Sequence, residues 1–508
     1  MSPDLLRGAL RLGVLALLVL APLPFGAVRP GAVLAIELAA SALGLIAILL
    51  VARDPDAAAA VPRLPLAIAL GLVALGAFQA LPLPFAVAET FNPTAELVRP
   101  LIPYLGLDRP PAVAWSVAAP ETVDALLRLV AYVLLSLAAA IAFDDAPSRR
   151  RFAIVLVGAA VFQAVYGSAE YLSGHQHIFA FAKKHYLDSA TGTFINRNHL
   201  ATYLAMALPF GLALSLPEER RVPERARTWR ERLVAASSGS ALVRLLAAGA
   251  CALLWMGLLL SHSRAGLVAA LAAAAIVLVR YRTLRAARWA AAIGACVLLT
   301  LLTLELAQAP GERFFSIRDD IEARGGRLAV WRDASALVAV RPILGWGFGT
   351  FESAFPTVQS ADIDLRYDHA HNDWLEWSID GGLLALAAAI ALLVLALRPP
   401  RPAAASGFDA AFGVAARAAV VAAALHGAWD FSLRIPAVAV VGAVVLGGTL
   451  GDQARAISAR AEASAALPPP STKVWNHSSR LSRFQTRWPW SALPRRSSSI
   501  RFRTAAGS

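Results

Sequence analysis

Uninterrupted apolar runs about as long as a bilayer is thick constrain this chain more than any other feature. Leu126 to Phe143, with Arg128 near its edge, is one such run, and Gly382 to Leu397 with its flanks is another. Runs of about 20 apolar residues match a hydrocarbon core about 30 Å thick. Backbone polar groups in lipid must pair within the segment, so the runs are expected to be helices. Composition points the same way. The 508 residues are 58% hydrophobic and only 16% charged, with a mean hydropathy of +0.59, more apolar surface than a soluble domain of this size can hide. The expected fold class is therefore an all-α polytopic membrane protein.

About twelve spans can be drawn. They cover 6–28, 31–52, 65–86, 122–143, 150–172, 199–216, 242–261, 264–281, 288–308, 375–397, 409–431 and 435–452. The first has the charge pattern of a signal peptide, with Arg7 and Arg11 ahead of an apolar run, but Pro22, Pro24 and Phe25 make a poor cleavage site. We expect it to be retained.

The formal charge of +13 does not indicate a nucleic-acid partner, because the arginines lie mainly between spans and in the tail. Arg149–Arg151, the arginines from Arg220 to Arg232, those from Arg280 to Arg288, and Arg398 with Arg401 fall on one side together with both termini. By the positive-inside rule that side is the cytoplasm. The opposite face is then periplasmic, in a bacterial inner membrane. Of the nine histidines, His175, His177, His185, His199, His262, His369, His371 and His426 fall on the outward side; His477 does not. Polar chemistry is thus expected on one face. Cys251 and Cys296 both lie in apolar stretches and provide no metal framework.

The expected organisation is N-terminal spans over 1–150, a core over 151–452 that includes an outward loop at 309–374, and a basic disordered tail over 453–508. Residues 471–508 carry eight Lys or Arg and no acid, a composition suited to resting on anionic lipid.

Four segments carry chemistry. Gly192 to His199 opens the sixth span. Asn196 or Asn198 can cap that helix, and a helix N-terminus beside Arg197 suits a phosphate. Ser261-His262-Ser263-Arg264-Ala265-Gly266 is a tight turn that holds Arg264 near the outer boundary, where a guanidinium needs a partner or water. In the long loop, Arg327–Val340 has helical apolar spacing, read as an amphipathic helix on the outer leaflet and ended by Arg341-Pro342. The glycine-rich Gly345–Phe351 that follows has no preceding strand, so it is not a dinucleotide site. His369 and His371 then precede Asn372, Asp373 and Glu376; they read either as metal ligands with Asp368 or Asp373, or as a base and its orienting partner. Finally His426 and Asp430 sit one turn apart ahead of Arg434, positions suited to lining a pocket.

In this order the segments resemble the O-antigen ligase and polymerase family. The resemblance runs from about Tyr171 to Gly451 and includes Gly192–Tyr203, Ser261–Gly266, Trp331–Phe351, His369–Glu376 with Gly381-Gly382-Leu383, and His426–Ala437 as in some exopolysaccharide polymerases. It implies a glycosyltransferase C-type fold with one large periplasmic loop over a lateral cavity. It also implies transfer of a glycan from undecaprenyl diphosphate to lipid A–core or to a lipid-linked oligosaccharide, with no cofactor or metal and with inversion. His371 is then the catalytic base. Arg264, Arg197 and Asn198 contact the donor diphosphate. His369, Asn372, Glu376, Arg341, His426, Asp430 and Arg434 support them. The competing expectation is a polytopic solute transporter, for example of bicarbonate.

Overall fold

A computed structural model describes residues 2–104, 111–216, 239–280, 326–361, 363, 365–399 and 407–465. The long helices are α1 (Pro3–Leu20), α2 (Pro30–Arg53), α3 (Arg63–Ala80), α4 (Ala119–Ala142), α5 (Ala146–Leu172), α6 (Arg197–Ser215), α7 (Gly239–Leu260), α8 (Arg264–Arg280), α9 (Arg327–Val340), α10 (Asp373–Asp380), α11 (Gly382–Leu397), α12 (Phe408–His426) and α13 (Pro436–Ala465). Among the described residues seven helices are long and apolar enough to cross a membrane: α2, α3, α4, α5, α7, α12 and α13. The chain is mostly helical, as a polytopic membrane protein should be. One small hairpin, His177–Ile178 against Phe181–Ala182, departs from the all-α expectation. The expected span 288–308, the arginines at 220–232 and 282–288, Arg401 and residues 471–508 lie outside the described residues.

Local sequence sets the helix ends. Proline opens α1, α2, α4 and α5 in the first turn, where its missing N–H costs nothing. Asp145 and Ser148 form a reciprocal capping box on α5. Asn196 caps α6 by accepting from the Asn198 N–H. Two boundaries differ from the sequence reading. The tenth expected span is broken, because α10 stops at Asp380 and α11 restarts at Gly382. Gly382 has φ +66°, and a Cβ there would stand 2.2 Å from the Ile343 carbonyl oxygen; only glycine permits that approach. The last helix also continues to Ala465, past the expected start of the tail at 453.

α6 forms the centre of the bundle. All residues from His199 to Leu214 are buried, with α5, α7, α8 and α12 packed round them. A helix apolar on every side belongs in an interior. Close helix approach elsewhere depends on small residues, as in membrane bundles generally. Gly447 and Gly451 of α13 lie against the Ser136 and Ala140 carbonyls of α4.

One end of the bundle gathers ion pairs. Arg7 pairs with Asp54 and Asp144, and Arg11 with Asp145. Arg149 joins Asp409 at 3.0 Å and Asp452 at 2.5 Å. The other end carries a second apolar core that includes Val330, Leu337, Trp346, Phe351, Phe355 and Ile379. The buried face of α9 (Val330, Ala334 and Leu337) belongs to it, so protein rather than the leaflet covers that face. Residues Met1–Arg460 form one unit. Ala461–Ser508 forms another, described only where α13 ends.

Candidate active site

After α12 ends at His426, the chain folds back through Asp430 and Phe431 to reach α13. The carbonyls of Gly427 and Asp430 accept from the Asp373 N–H at 2.7 and 3.2 Å, which ties this corner to the start of α10. Phe431 becomes a hub. The His369 ring stacks on it at 4.0 Å, while the His371 and His199 rings meet it near edge-on at 4.9 and 5.0 Å. Two segments far apart in sequence thus bring their histidines together on a phenylalanine from a third.

Asp430 is buried and engages His371 Nδ1 at 3.1 Å. Burial opposes its charge. The hydrogen bond from His371 and the nearby rings of His199, His426 and His371 outweigh that, holding the carboxyl well below its usual range. An ionised carboxylate can only accept, so His371 carries a proton on Nδ1, and in the neutral ring the lone pair is then on Nε2. His371 is part-exposed and has φ 52°, a left-handed backbone that a side chain adopts only where its surroundings impose it. Among the described residues, Asp430 Oδ2 and the Nε2 atoms of His199 and His426 are buried without a hydrogen-bond partner. His426 Nδ1 meets Ser432 Oγ at 3.3 Å.

A second charged cluster adjoins the first. Asp373, Glu376 and Asp380 lie at i, i+3 and i+7 on one face of α10, with side chains at most 2% exposed. All three surround Arg434: Nη2 is 2.9 Å from Asp380, and Nε is 3.4 Å from Glu376 and 3.8 Å from Asp373. Burial works against the Arg434 charge, but Glu376, Asp380 and Asp373 outweigh it and raise its pKa further. Glu376 also takes a bond from His369 Nδ1 at 2.9 Å. Burial alone would lower the His369 pKa; the Glu376 charge and hydrogen bond raise it above 6.5. Asn372 caps α10, accepting from the Trp374 and Leu375 N–H groups at 3.1 Å each.

The arginines expected at the donor diphosphate occupy the N-terminal ends of α6 and α8. Gly266 is close enough that a Cβ would stand 2.4 Å from Ala201 Cβ, so these two helices meet side by side one turn in from their N-termini. Ser263 Oγ accepts from the Gly266 N–H at 3.2 Å, and Arg264 is exposed at the first position of α8. Arg197 is half-buried, 3.4 Å from Asp188 and over the Tyr186 ring. Asn198 donates its backbone N–H to the Asn196 cap and accepts from Thr202 through its carbonyl. Next to it, His199 reaches Phe431.

Arg341 has a different setting from the one expected. It is buried with its guanidinium on Thr94 Oγ1 at 3.0 Å and the Trp115 carbonyl at 3.1 Å, over the Trp346 ring. It holds Thr94 and Trp115 to the second apolar core, away from the histidine contacts. His369 and His371 each take a separate carboxylate, and among the described residues they do not gather with Asp368 or Asp373 as a metal-binding group. Sequence reasoning missed Phe431, His199 and the pairing of Asp373 and Asp380 with Arg434. The i, i+3, i+7 spacing of the three acids was a usable signal; nothing in the sequence marked Phe431. Gln79 was also missed: buried at the end of α3, it donates to the Leu344 and Asp380 carbonyls at 2.7 and 2.9 Å.

Below the acidic cluster lie two adjoining apolar cavities that share Leu72, Trp377, Leu392, Leu433, Gly442 and Leu446. One is lined by Asp373 and Trp374 and the other by Pro62, Pro65 and Leu450.

Residues 249–390 match the family model described as O-antigen ligase. The chain carries an O-antigen ligase domain. The match takes in Arg264, Arg341, His369, His371, Asn372 and Glu376, and stops short of His426, Asp430 and Arg434. No curated protein matches the chain. With its apolar helices, the O-antigen ligase domain makes this a multi-pass membrane protein of polysaccharide biosynthesis, with function of the ligase and polymerase type.

Proposed function

We propose that the protein transfers a glycan from undecaprenyl diphosphate to an acceptor hydroxyl on the periplasmic face of the inner membrane. The acceptor is lipid A–core or a second lipid-linked oligosaccharide. The observation that carries this reading is the His371–Asp430 pair, an imidazole with its Nδ1 proton on a buried carboxylate. That arrangement frees Nε2 to accept the hydroxyl proton, and the Asp430 charge stabilises the imidazolium that results. The acceptor oxygen bonds to the anomeric carbon as the bond to the diphosphate oxygen breaks, and the diphosphate leaves with the electron pair. Attack from the opposite face inverts that carbon.

Leaving-group charge needs donors in place beforehand. Arg264 at the head of α8, beside the head of α6, fits that need through a helix N-terminus and a guanidinium fork. Arg197 already faces Asp188 and is the weaker contributor. Arg434 is committed to three acids and so positions rather than binds. The adjoining apolar cavities suit a polyprenyl chain hanging from the diphosphate. A solute transporter would gather its polar groups near the bilayer midplane; here the histidines gather at the N-terminal end of α6 and the C-terminal end of α12.

The test is transfer of a labelled glycan from undecaprenyl diphosphate in proteoliposomes, for wild type, His371→Ala and Arg264→Ala. Release of undecaprenyl diphosphate by wild type, lost in both folded variants, is the expected result. No turnover with any native donor and acceptor would bring transport forward, and full activity in both variants would discard the site.

A further inference from the structure

We propose that Glu170, His175 and His177 form a binding site for a divalent cation of the Zn2+ class, outside the transfer chemistry. Each residue offers a ligand atom, and these atoms lie within 4.8 Å of one another. Glu170 stands in the last turn of α5, and the two histidines flank Gln176 on the loop that follows. Gly174 (φ +72°) and Gln176 (φ 56°) both take left-handed backbone. This tight turn lets the two imidazoles stack at 3.9 Å with 21° between their planes.

The hydrogen bonds fix which ring nitrogens are free to bind. His177 Nδ1 lies 2.5 Å from the His175 carbonyl oxygen. A carbonyl only accepts, so the proton is on Nδ1 and the lone pair is on Nε2. His175 Nδ1 lies 2.8 Å from Glu170 Oε2, so on this ring Nδ1 faces the carboxylate, and a cation between the two would take the place of the shared proton. An Nδ1 proton given to a carbonyl is the usual setting of a metal-bound histidine, and His177 has it. The turn is also held in place from behind. The His177 N–H donates to Glu170 Oε2 at 2.9 Å, and Lys183 Nζ donates to Gln176 Oε1 and the Ser189 carbonyl, both at 2.9 Å. The Phe179 N–H donates to Tyr166 Oη at 2.6 Å. The hairpin is therefore fastened to α5 on both sides of the histidines.

Ligand chemistry selects the ion. Two imidazoles and one carboxylate suit Zn2+ far better than Mg2+ or Ca2+, which prefer oxygen. Three protein ligands leave a fourth position for water, and ligand bonds of about 2.1 Å require the three atoms to close to roughly 3.4 Å apart. His175 is exposed and can make that movement. The loop so clamped runs on through Tyr186 and Asp188, the residues that hold Arg197. Zn2+ would stiffen the approach to α6.

The experiment uses the full chain in detergent, without a histidine tag. Zinc content after dialysis and affinity by chelator competition are measured for wild type, H175A/H177A, E170Q and H371A. The expected result is one equivalent of Zn2+ in wild type and in H371A, unmoved by excess Mg2+. The double variant and E170Q should each lose at least about tenfold in affinity. X-ray absorption at the zinc edge should show imidazole scattering in wild type. If the double variant fails to fold, H175Q and H177Q singly should each show the same loss. Zinc bound equally well by the folded variants, a folded wild type that takes up none, or a zinc spectrum without imidazole would each overturn the proposal.

Discussion

Replacing Arg434 with alanine is the sharpest test of how the site is held together. The guanidinium faces three acids that are at most 2% exposed, and His369 adds a bond to Glu376. Removing one partner of a buried ion pair costs about 3–5 kcal/mol, because the charge left behind has neither water nor a counter-ion. Glu376, which despite burial Arg434 and His369 hold below its usual range, bears most of that loss, whereas burial already pushes Asp373 and Asp380 up toward the protonated form. The acids can limit the damage only by taking up protons. The deficit of Arg434→Ala relative to wild type should therefore be largest at alkaline pH and shrink as pH falls. Arg434→Lys keeps the charge but loses the planar fork that reaches Asp380 and Glu376 together, and should fall between the two. Thermal unfolding in detergent, followed by size-exclusion fluorescence across a pH series, measures the ranking. A Tm for Arg434→Ala equal to that of wild type at alkaline pH would refute the reasoning, since it would mean the acids are neutral or hydrated without the arginine.

Three further outcomes are expected. Asp430→Asn should lower turnover by about 10²–10⁴-fold in proteoliposomes with little change in KM, because an amide can donate to Nδ1 and favour the wrong tautomer; a loss below tenfold would remove Asp430 from the orienting role. The His369–Glu376 contact should make stability fall as pH rises. The folded His369 pKa lies above 6.5, so the contribution is whole below 6.5 and is lost as pH climbs through the folded pKa; Glu376→Gln should flatten the part of a Tm–pH curve above pH 6.5. Two neighbouring glycines should respond with opposite signs. Gly447→Ala would put its Cβ 2.0 Å from the Ser136 carbonyl oxygen and should destabilise, whereas Gly448→Ala meets nothing within 4 Å and should stabilise by about 0.5–1 kcal/mol.

The bundle was legible wherever hydrophobicity alone decides structure. α2, α4, α5 and α7 follow their apolar runs to within a few residues. α6 was drawn correctly, but its place at the centre was not, because Arg197, Asn198 and His199 lower its mean hydropathy and burial on all sides leaves no amphipathic stripe. The break between α10 and α11 was hidden by the apolar run of α11. It follows from the approach of Gly382 to Ile343, a contact nearly forty residues apart in sequence. In the site, His369, His371 and Glu376 could be read from one short stretch. The pairing of His371 with Asp430 spans 59 residues and depends on the corner after α12. Arg341 shows the limit of reading charges in loops: its local sequence does not say what it holds, and the fold supplied Thr94, Trp115 and Trp346.

The fastening at the end of α10 has an evolutionary consequence. The Trp346 and Gly347 N–H groups bond the Ile379 and Asp380 carbonyls, the Leu383 N–H bonds Pro342, and Gln79 clips Leu344 to Asp380. The chain leaves this knot and returns to it, so the stretch between Gly347 and Ile379 starts and ends on a fixed base. Doubling the length of such a stretch costs only about 0.6 kcal/mol in closure entropy. Lineages can therefore enlarge or exchange it like a cassette, fitting it to new glycans, without having to solve again the harder problem of burying three acids around one arginine.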